Sequence, residues 1–371
     1  MQLGNNRDIE WSHVATTGGS MRRPMLLSAI VATLAMTVLA AGPVTASADP
    51  YRAKQWGLDK IQAEPAWATS TGTGVLVAVV DTGVDLGHPD LQANIVGPGK
   101  DFVEPDGTCT GNKRTGRTCT QDGAQDKNGH GTHVAGIIAA VANNNVGVAG
   151  VAPNARILPV RVLDASGSGT TDQIAAGVRY AADQGAKVIN LSLGVISGVD
   201  KVAKVIGELD TVYAAFDYAV AKGATVVVAA GNDSAPFCSE PAGAANVICV
   251  GATDSRDVSS FYSNHDASTL QTFVVAPGGD ALTCSGDILS TYLRSAARST
   301  CSPGDGYEVL AGTSMATPHV AGVAALLAAK GDSRADIMRK IPATADDLGA
   351  PGDDPVYGSG RVNALRAVTA A

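Results

Sequence analysis

From residue 49 onward, short unbroken apolar runs alternate with longer segments in which apolar residues recur every three or four positions. The runs Val75–Val80, Arg156–Leu163, Lys187–Leu193, Thr225–Ala230 and Val247–Gly251 are rich in Val and Ile. They are too apolar for one face to meet water, which predicts strands covered on both faces. Between and after them, His133–Val141, Thr171–Gln184, Val202–Lys222 and Met315–Lys330 carry the helical period. Strands alternating with helices predict crossover connections and an α/β fold with a mainly parallel, doubly wound sheet. In such sheets, sites form at the carboxyl ends of strands, so the residues that directly follow an apolar run are the first candidates for chemistry. A short helix over Arg361–Ala370 closes the pattern, with no internal repeat or linker before it.

The stretch before residue 49 follows a different logic. Arg22 and Arg23 precede the apolar segment Met25–Ala41, which is stopped by Gly42-Pro43 and followed by Ala46-Ser47-Ala48. A positive region, an apolar region and a small-residue site, in that order, make a secretory signal peptide. Roughly 17 residues diluted with Ala and Thr lie at the bottom of the membrane-spanning range, so export with cleavage near Ala48 is expected rather than a membrane anchor. Residues 1–20, with Asp8, Glu10 and Trp11, fit no such region, and Met21 is the expected start. The expected organisation is a leader over 1–48, its signal peptide at 21–48, and one domain over 49–371.

Composition removes several classes of function. With 45% hydrophobic and 17% charged residues, the chain is neither disordered nor fibrous. Its 43 glycines far outnumber its 5 Phe, 3 Trp and 8 Tyr, which anticipates tight loops and helices built from small residues. A formal net charge of −8 offers no basic face to a nucleic-acid backbone, so nucleic acid is not an expected partner. All six cysteines, Cys109, Cys119, Cys238, Cys249, Cys284 and Cys301, follow the leader, and an even count in an exported chain reads as three disulfides. Of the possible connectivities, the local set 109–119, 238–249 and 284–301 is expected, because each pair brackets a Gly/Ser/Asp/Thr-rich stretch. The absence of a C-x-x-C pair argues against zinc.

Three motifs carry candidate chemistry. Asp81-Thr82-Gly83 directly follows the first apolar run; alone, it fits a loop-capping Asp as well as a catalytic one. An aspartic protease would need a second copy to share a proton, and the chain has none. The second motif is N-G-H-G-T-H-V-A-G at 128–136, where glycines flank His130 and leave its imidazole room to meet a substrate. His130 and His133 lack the intervening acid of a H-E-x-x-H metal motif, so His133 is expected to be a packed helix residue. The third is G-T-S-M-A-T-P-H-V-A-G at 312–322, in which Ser314 opens an apolar helix. There it is either a capping residue or a nucleophile at the positive helix end.

Taken together, and in the order Asp81, His130, Ser314, these motifs resemble those of the subtilisin-like serine proteases, or subtilases, from Trp56-Gly57 to Gly358–Asn363. The resemblance implies a three-layer subtilisin-like catalytic domain and a secreted endopeptidase of broad specificity. Ser314 would be the nucleophile, His130 the general base and Asp81 its orienting carboxylate. Asn232, in Ala229-Ala230-Gly231-Asn232, would be the oxyanion donor beside the Ser314 N–H. Gly167-Ser168-Gly169 and Ser192-Leu193-Gly194 match the segments that pair with an extended substrate backbone. Asp233 either faces the P1 side chain or is a solvated loop charge. The stretch 142–153 resembles a calcium loop offering the carbonyls of Ala142, Val146 and Val148 and the side chain of Asn144, with Asp90 as the carboxylate ligand and Gln55 as a poorly aligned amide ligand. Structural calcium, no organic cofactor, protein or peptide substrates, a monomer, and no stable membrane association after signal cleavage are the corresponding expectations. A subtilase pro-domain has no counterpart between leader and domain, so folding without an intramolecular chaperone, aided by disulfides and Ca²⁺, is expected. The rival functions are a peptide-binding pseudoprotease and a metallohydrolase built on His130 and His133.

Overall fold

The computed structural model describes residues 48–104, 123–194, 209–268 and 271–371, and the backbone alone of 108–110 and 118–120. Seven strands form one sheet: β1 (Leu76–Asp81), β2 (Lys100–Asp101), β5 (Arg156–Arg161), β6 (Val188–Leu191), β7 (Thr225–Ala229), β8 (Ile248–Thr253) and β9 (Thr272–Pro277). Their order is β2-β5-β1-β6-β7-β8-β9, and every neighbouring pair is parallel. Two antiparallel hairpins lie outside the sheet, β3 (Thr108–Thr110) with β4 (Thr118–Thr120), and β10 (Ile288–Thr291) with β11 (Tyr307–Leu310). The helices are α1 (Trp56–Lys60), α2 (Ala63–Ala66), α3 (His130–Ala139), α4 (Thr171–Asp183), α5 (Asp210–Ala221), α6 (Thr313–Ala329), α7 (Arg334–Ala343) and α8 (Ala364–Thr369).

The alternation of side chains along β1 shows why both of its faces had to be apolar. Val77 and Val79 join a core built with α3 and α6, whereas Ala78 and Val80 join a second core built with α4 and α5. The result is three layers, helices on each side of a parallel sheet. The chain adds β5 on one side of β1 and then β6 on the other, so winding reverses at β1. That switch point puts the crevice at the carboxyl ends of β1 and its neighbours, where Asp81 stands.

All five expected strands exist. The sequence reading missed β9, whose six residues follow a polar stretch, and the two-residue edge strand β2. It also missed α7, which buries only Ile337, Lys340 and Ile341 and is opened by a capping box of Ser333 and Asp336. The expected helix over Val202–Lys222 is present as α5 from Asp210; residues 202–208 lie outside the described residues. Two of the expected disulfides are formed, Cys238–Cys249 and Cys284–Cys301, with Cα atoms 6.6 and 5.2 Å apart. For the third, the β3–β4 register sets Cys109 opposite Cys119, and their side chains lie outside the described residues.

Candidate active site

Asp81, the last residue of β1, is fully buried. Its Oδ1 accepts the Thr82 N–H at 2.7 Å and the His130 Nδ1–H at 2.8 Å. A carboxylate that only accepts makes Nδ1 the protonated nitrogen, which leaves Nε2 with its lone pair. His130 begins α3 rather than preceding it, three residues earlier than the apolar period suggested, and its side chain is 26% exposed. Burial pulls its pKa down, but the charge and hydrogen bond of Asp81, helped by the charge of Asp126, outweigh this and hold it above the usual histidine value. The flanking glycines do more than clear space for the imidazole. A side chain at Gly131 would meet the Gly83 carbonyl at 2.1 Å, so glycine lets α3 close on the end of β1. At Gly129, φ is 109° and a Cβ would sit 2.4 Å from the Tyr292 ring.

Ser314 lies in the first turn of α6, after Thr313 and the N-cap Gly312, which removes the capping reading. Its hydroxyl donates to the Ser192 carbonyl at 3.2 Å, and the Ser192 hydroxyl donates to the Ser314 carbonyl at 2.8 Å. No hydrogen bond joins Ser314 to His130 among the described residues. Such bonds commonly form only when substrate is bound. Ser192 follows β6, the neighbour of β1, and Asn232 follows β7, the neighbour of β6, so Asp81, Ser314 and Asn232 belong to one edge of the sheet.

The Asn232 amide is oriented by a residue the sequence reading passed over. Its Oδ1 accepts both the N–H and the hydroxyl of Thr313, at 2.9 and 3.0 Å, which leaves the two Nδ2 hydrogens for the crevice side of an exposed residue. The only sequence signal for Thr313 was its place beside Ser314.

The two expected substrate segments differ. Gly167-Ser168-Gly169 is exposed, but Gly167 and Ser168 lie within a turn held by Asp164: the Gly167 N–H donates to the Asp164 carbonyl, the Ser168 N–H to its Oδ1, and the Ser168 carbonyl accepts the Asp164 N–H. Ser192 is buried and committed to Ser314; Leu193 and Gly194 leave the sheet with no main-chain hydrogen bond among the described residues. Asp233 is exposed, its N–H bonded to Asn264 Oδ1.

His133 does not join His130 at a metal. It is buried, donates Nε2–H to the carbonyls of Ile288 and Glu308, and burial holds its pKa down to about 3. Among the described residues no group of three His, Cys, Asp or Glu side chains is arranged to hold a metal.

The loop expected to bind calcium is brought together with Asp90, which is buried and has no cationic partner among the described residues. Asp90 accepts from Asn144 Nδ2 at 2.8 Å and from the Val148 N–H at 2.9 Å. Burial first, and the charge of Asp49 second among the raising causes, push its carboxyl up to about 7. The carbonyls of Ala142, Val146 and Val148 take no hydrogen bond among the described residues. Asn144 presents Nδ2, not its oxygen, to Asp90, since its Oδ1 accepts the Val146 N–H. Asp49, unassigned from sequence, is buried and accepts the N–H groups of Asn143 and Asn144. Gln55 is not aimed at this loop's centre, because both ends of its amide pair with the main chain of Ala149.

Known proteins resemble the chain over most of its length. A profile of the subtilase family matches residues 72–360. The chain is 45% identical over 321 residues to thermitase from Thermoactinomyces vulgaris, covering 86% of this chain and 98% of that protein. It is 42% identical over 312 residues to subtilisin Savinase from Lederbergia lenta, covering 83% and 96%. Among solved structures, a protease from Pseudoalteromonas arctica superposes with a TM-score of 0.70 at 34% identity, covering 87% of this chain and 98% of that one.

Proposed function

The chain belongs to the subtilase family and is a serine-type endopeptidase acting on protein or peptide substrates, and from that premise we propose which residues do the work and where. Ser314 Oγ attacks the scissile carbonyl while neutral His130, through Nε2, takes its proton. His130 then delivers that proton to the leaving amine, and a water molecule repeats the sequence on the acyl-enzyme. Asp81 keeps the proton on Nδ1 and stabilises the imidazolium. Asn232 Nδ2–H and the Ser314 N–H, at the positive end of α6, stabilise the oxyanion. The observation that carries this reading is the 2.8 Å bond between Asp81 and His130 Nδ1, which leaves Nε2 free to act as base. The Ser314 hydroxyl has to turn from Ser192 toward Nε2, and it gives up one hydrogen bond in doing so.

Leu193-Gly194, and Gly169 at the end of the turn that Asp164 holds, would pair with the substrate as an added strand, which favours broad specificity because main-chain pairing reads no side chain. Calcium fits the 142–148 loop: the buried carboxylates of Asp90 and Asp49, and three carbonyls that take no hydrogen bond among the described residues, are hard oxygen donors. Asp90, Asn144 and the carbonyls of Ala142, Val146 and Val148 would hold it, with Asp49 beside them. Calcium there would neutralise buried charge and tie the N-terminal segment to the loop before β5. Secretion is supported by the leader pattern and the disulfides, and no described helix is long and apolar enough to cross a membrane. We read the molecule as a monomer of one catalytic domain over 49–371. Incubation of the purified protein with an unfolded protein substrate tests the assignment: cleavage that persists in Ser314→Ala overturns it, whereas cleavage that Ser314→Ala abolishes supports it.

A further inference from the structure

A second carboxylate lies beside the pair formed by Asp81 and His130. Asp126 is buried, 4% exposed, and stands in the loop that enters α3. Its Oδ1 accepts from the Thr82 hydroxyl, the Asn128 N–H and the Gly129 N–H, each at 2.9 Å. Its Oδ2 accepts the Thr132 N–H at 3.0 Å and the Thr132 hydroxyl at 2.6 Å. The two hydroxyls are bridges in turn, since Thr82 Oγ1 accepts the Gly131 N–H and Thr132 Oγ1 accepts the Asp85 N–H, both at 2.9 Å. Every strut between residues 82–85, just past Asp81, and residues 128–132, which carry His130, therefore runs to this carboxylate or to a hydroxyl that it holds.

We propose that Asp126 is a positioning residue of the reaction: its carboxylate fixes the first turn of α3, and with it the His130 ring, against Asp81. This rests on the catalytic assignment made above. Five donors converge on a group that can only accept, so no neutral replacement satisfies the site. An Asn amide would turn N–H groups against the Thr132 N–H or against the donors of Asn128 and Gly129. Burial raises the pKa of Asp126, and its hydrogen bonds to Thr132, Gly129 and Asn128 oppose that shift by favouring the charged form.

Among the described residues, the titratable groups facing His130 are few. They are Asp81 from β1, Asp126 from the entry loop, and His133 one turn along α3, which is neutral. Lys127 pairs with Glu104, and burial together with the charges of Asp126 and Glu308 keeps Tyr292, whose hydroxyl donates to the Asn128 carbonyl, protonated. Asp126 thus adds to Asp81 in holding His130 above the ordinary histidine value.

The test compares the full-length enzyme with Asp126→Asn, Thr132→Val and Thr132→Ser, each normalised to active sites titrated with a fluorophosphonate. Asp126→Asn is expected to lower kcat by roughly tenfold to a hundredfold, with a smaller change in KM, as an ångström-scale misplacement of the base would. It is also expected to move the acid limb of kcat/KM to lower pH. Thr132→Val removes the 2.6 Å donor without removing charge, so it is expected to lower kcat without that acid shift, and Thr132→Ser is expected to restore it. Should Asp126→Asn fail to fold, the Thr132 pair still decides the positioning claim. An unchanged kcat per titrated site in Thr132→Val, or an unmoved acid limb and kcat in a folded Asp126→Asn, overturns the proposal. A wild-type enzyme that Ser314 labelling does not titrate overturns the catalytic assignment instead.

Discussion

His319 and His133 set a measurable limit on stability in acid. His319 lies on α6, fully buried; its Nδ1–H donates to the Met315 carbonyl at 2.8 Å, and its Nε2 has no hydrogen-bond partner among the described residues. Burial holds its pKa down to about 4, and that of His133 down to about 3. An unfolded chain titrates both near 6.5, so between that value and the folded pKa the unfolded state binds more protons. Stability contributed by the neutral imidazoles is therefore complete above about pH 6.5 and is lost as pH falls toward the folded values. At pH 5 each histidine accounts for a loss of about 2 kcal/mol relative to pH 8. In His319→Gln one of these losses disappears, and the difference between the unfolding free energies at pH 8 and pH 5 should shrink by about 2 kcal/mol. The assay is equilibrium denaturant unfolding in a Ser314→Ala background, which prevents self-cleavage, at pH 8, 6.5, 5 and 4. Other titrating groups cancel in the comparison. Equal drops in parent and variant would refute the reasoning, because they would mean that His319 is protonated in the folded protein or is hydrated there.

Three more predictions follow from other parts of the molecule. Asn232→Ala should lower kcat by roughly a hundredfold to a thousandfold, the range known for that donor in subtilisin, with little change in KM in steady-state peptide hydrolysis. Chelation of Ca²⁺ should lower the melting temperature, and saturating Ca²⁺ at a hundred times its dissociation constant should return about 2.7 kcal/mol. Asp90→Asn should remove that response when scanned by calorimetry. Opening the Cys284–Cys301 loop, 17 residues in sequence separation, by a Cys284→Ala/Cys301→Ala pair should cost about 3 kcal/mol on the loop-closure account, read as a lower unfolding free energy.

Much of the fold was legible because a parallel sheet covered on both faces needs unbroken apolar runs, and β1, β5, β6, β7 and β8 announce themselves that way. Element ends were less legible. The start of α3 at His130 depends on Asp126 and two glycines, polar and tertiary features that leave no mark on apolar period. The residues proposed as the triad, and Asn232, stand out in the sequence because their neighbours form continuous motifs. Thr313 and Asp126 act through hydrogen bonds to residues far away in sequence or to main-chain donors, which a linear pattern cannot express. The loop proposed to hold calcium shows the same division. Its Asn and Gly content was readable, whereas the arrival of Asp49 and the diversion of Gln55 to Ala149 arise from how the N-terminal segment packs.

The central claim is that Ser314 is a nucleophile activated by His130, and a fluorophosphonate adduct located by peptide mass spectrometry tests it most directly. The account predicts one adduct per chain, on Ser314, forming at a rate that falls in acid as His130 is protonated and nearly vanishing in His130→Ala and Ser314→Ala. An adduct on another residue, or labelling of Ser314 at an undiminished rate without His130, would contradict it.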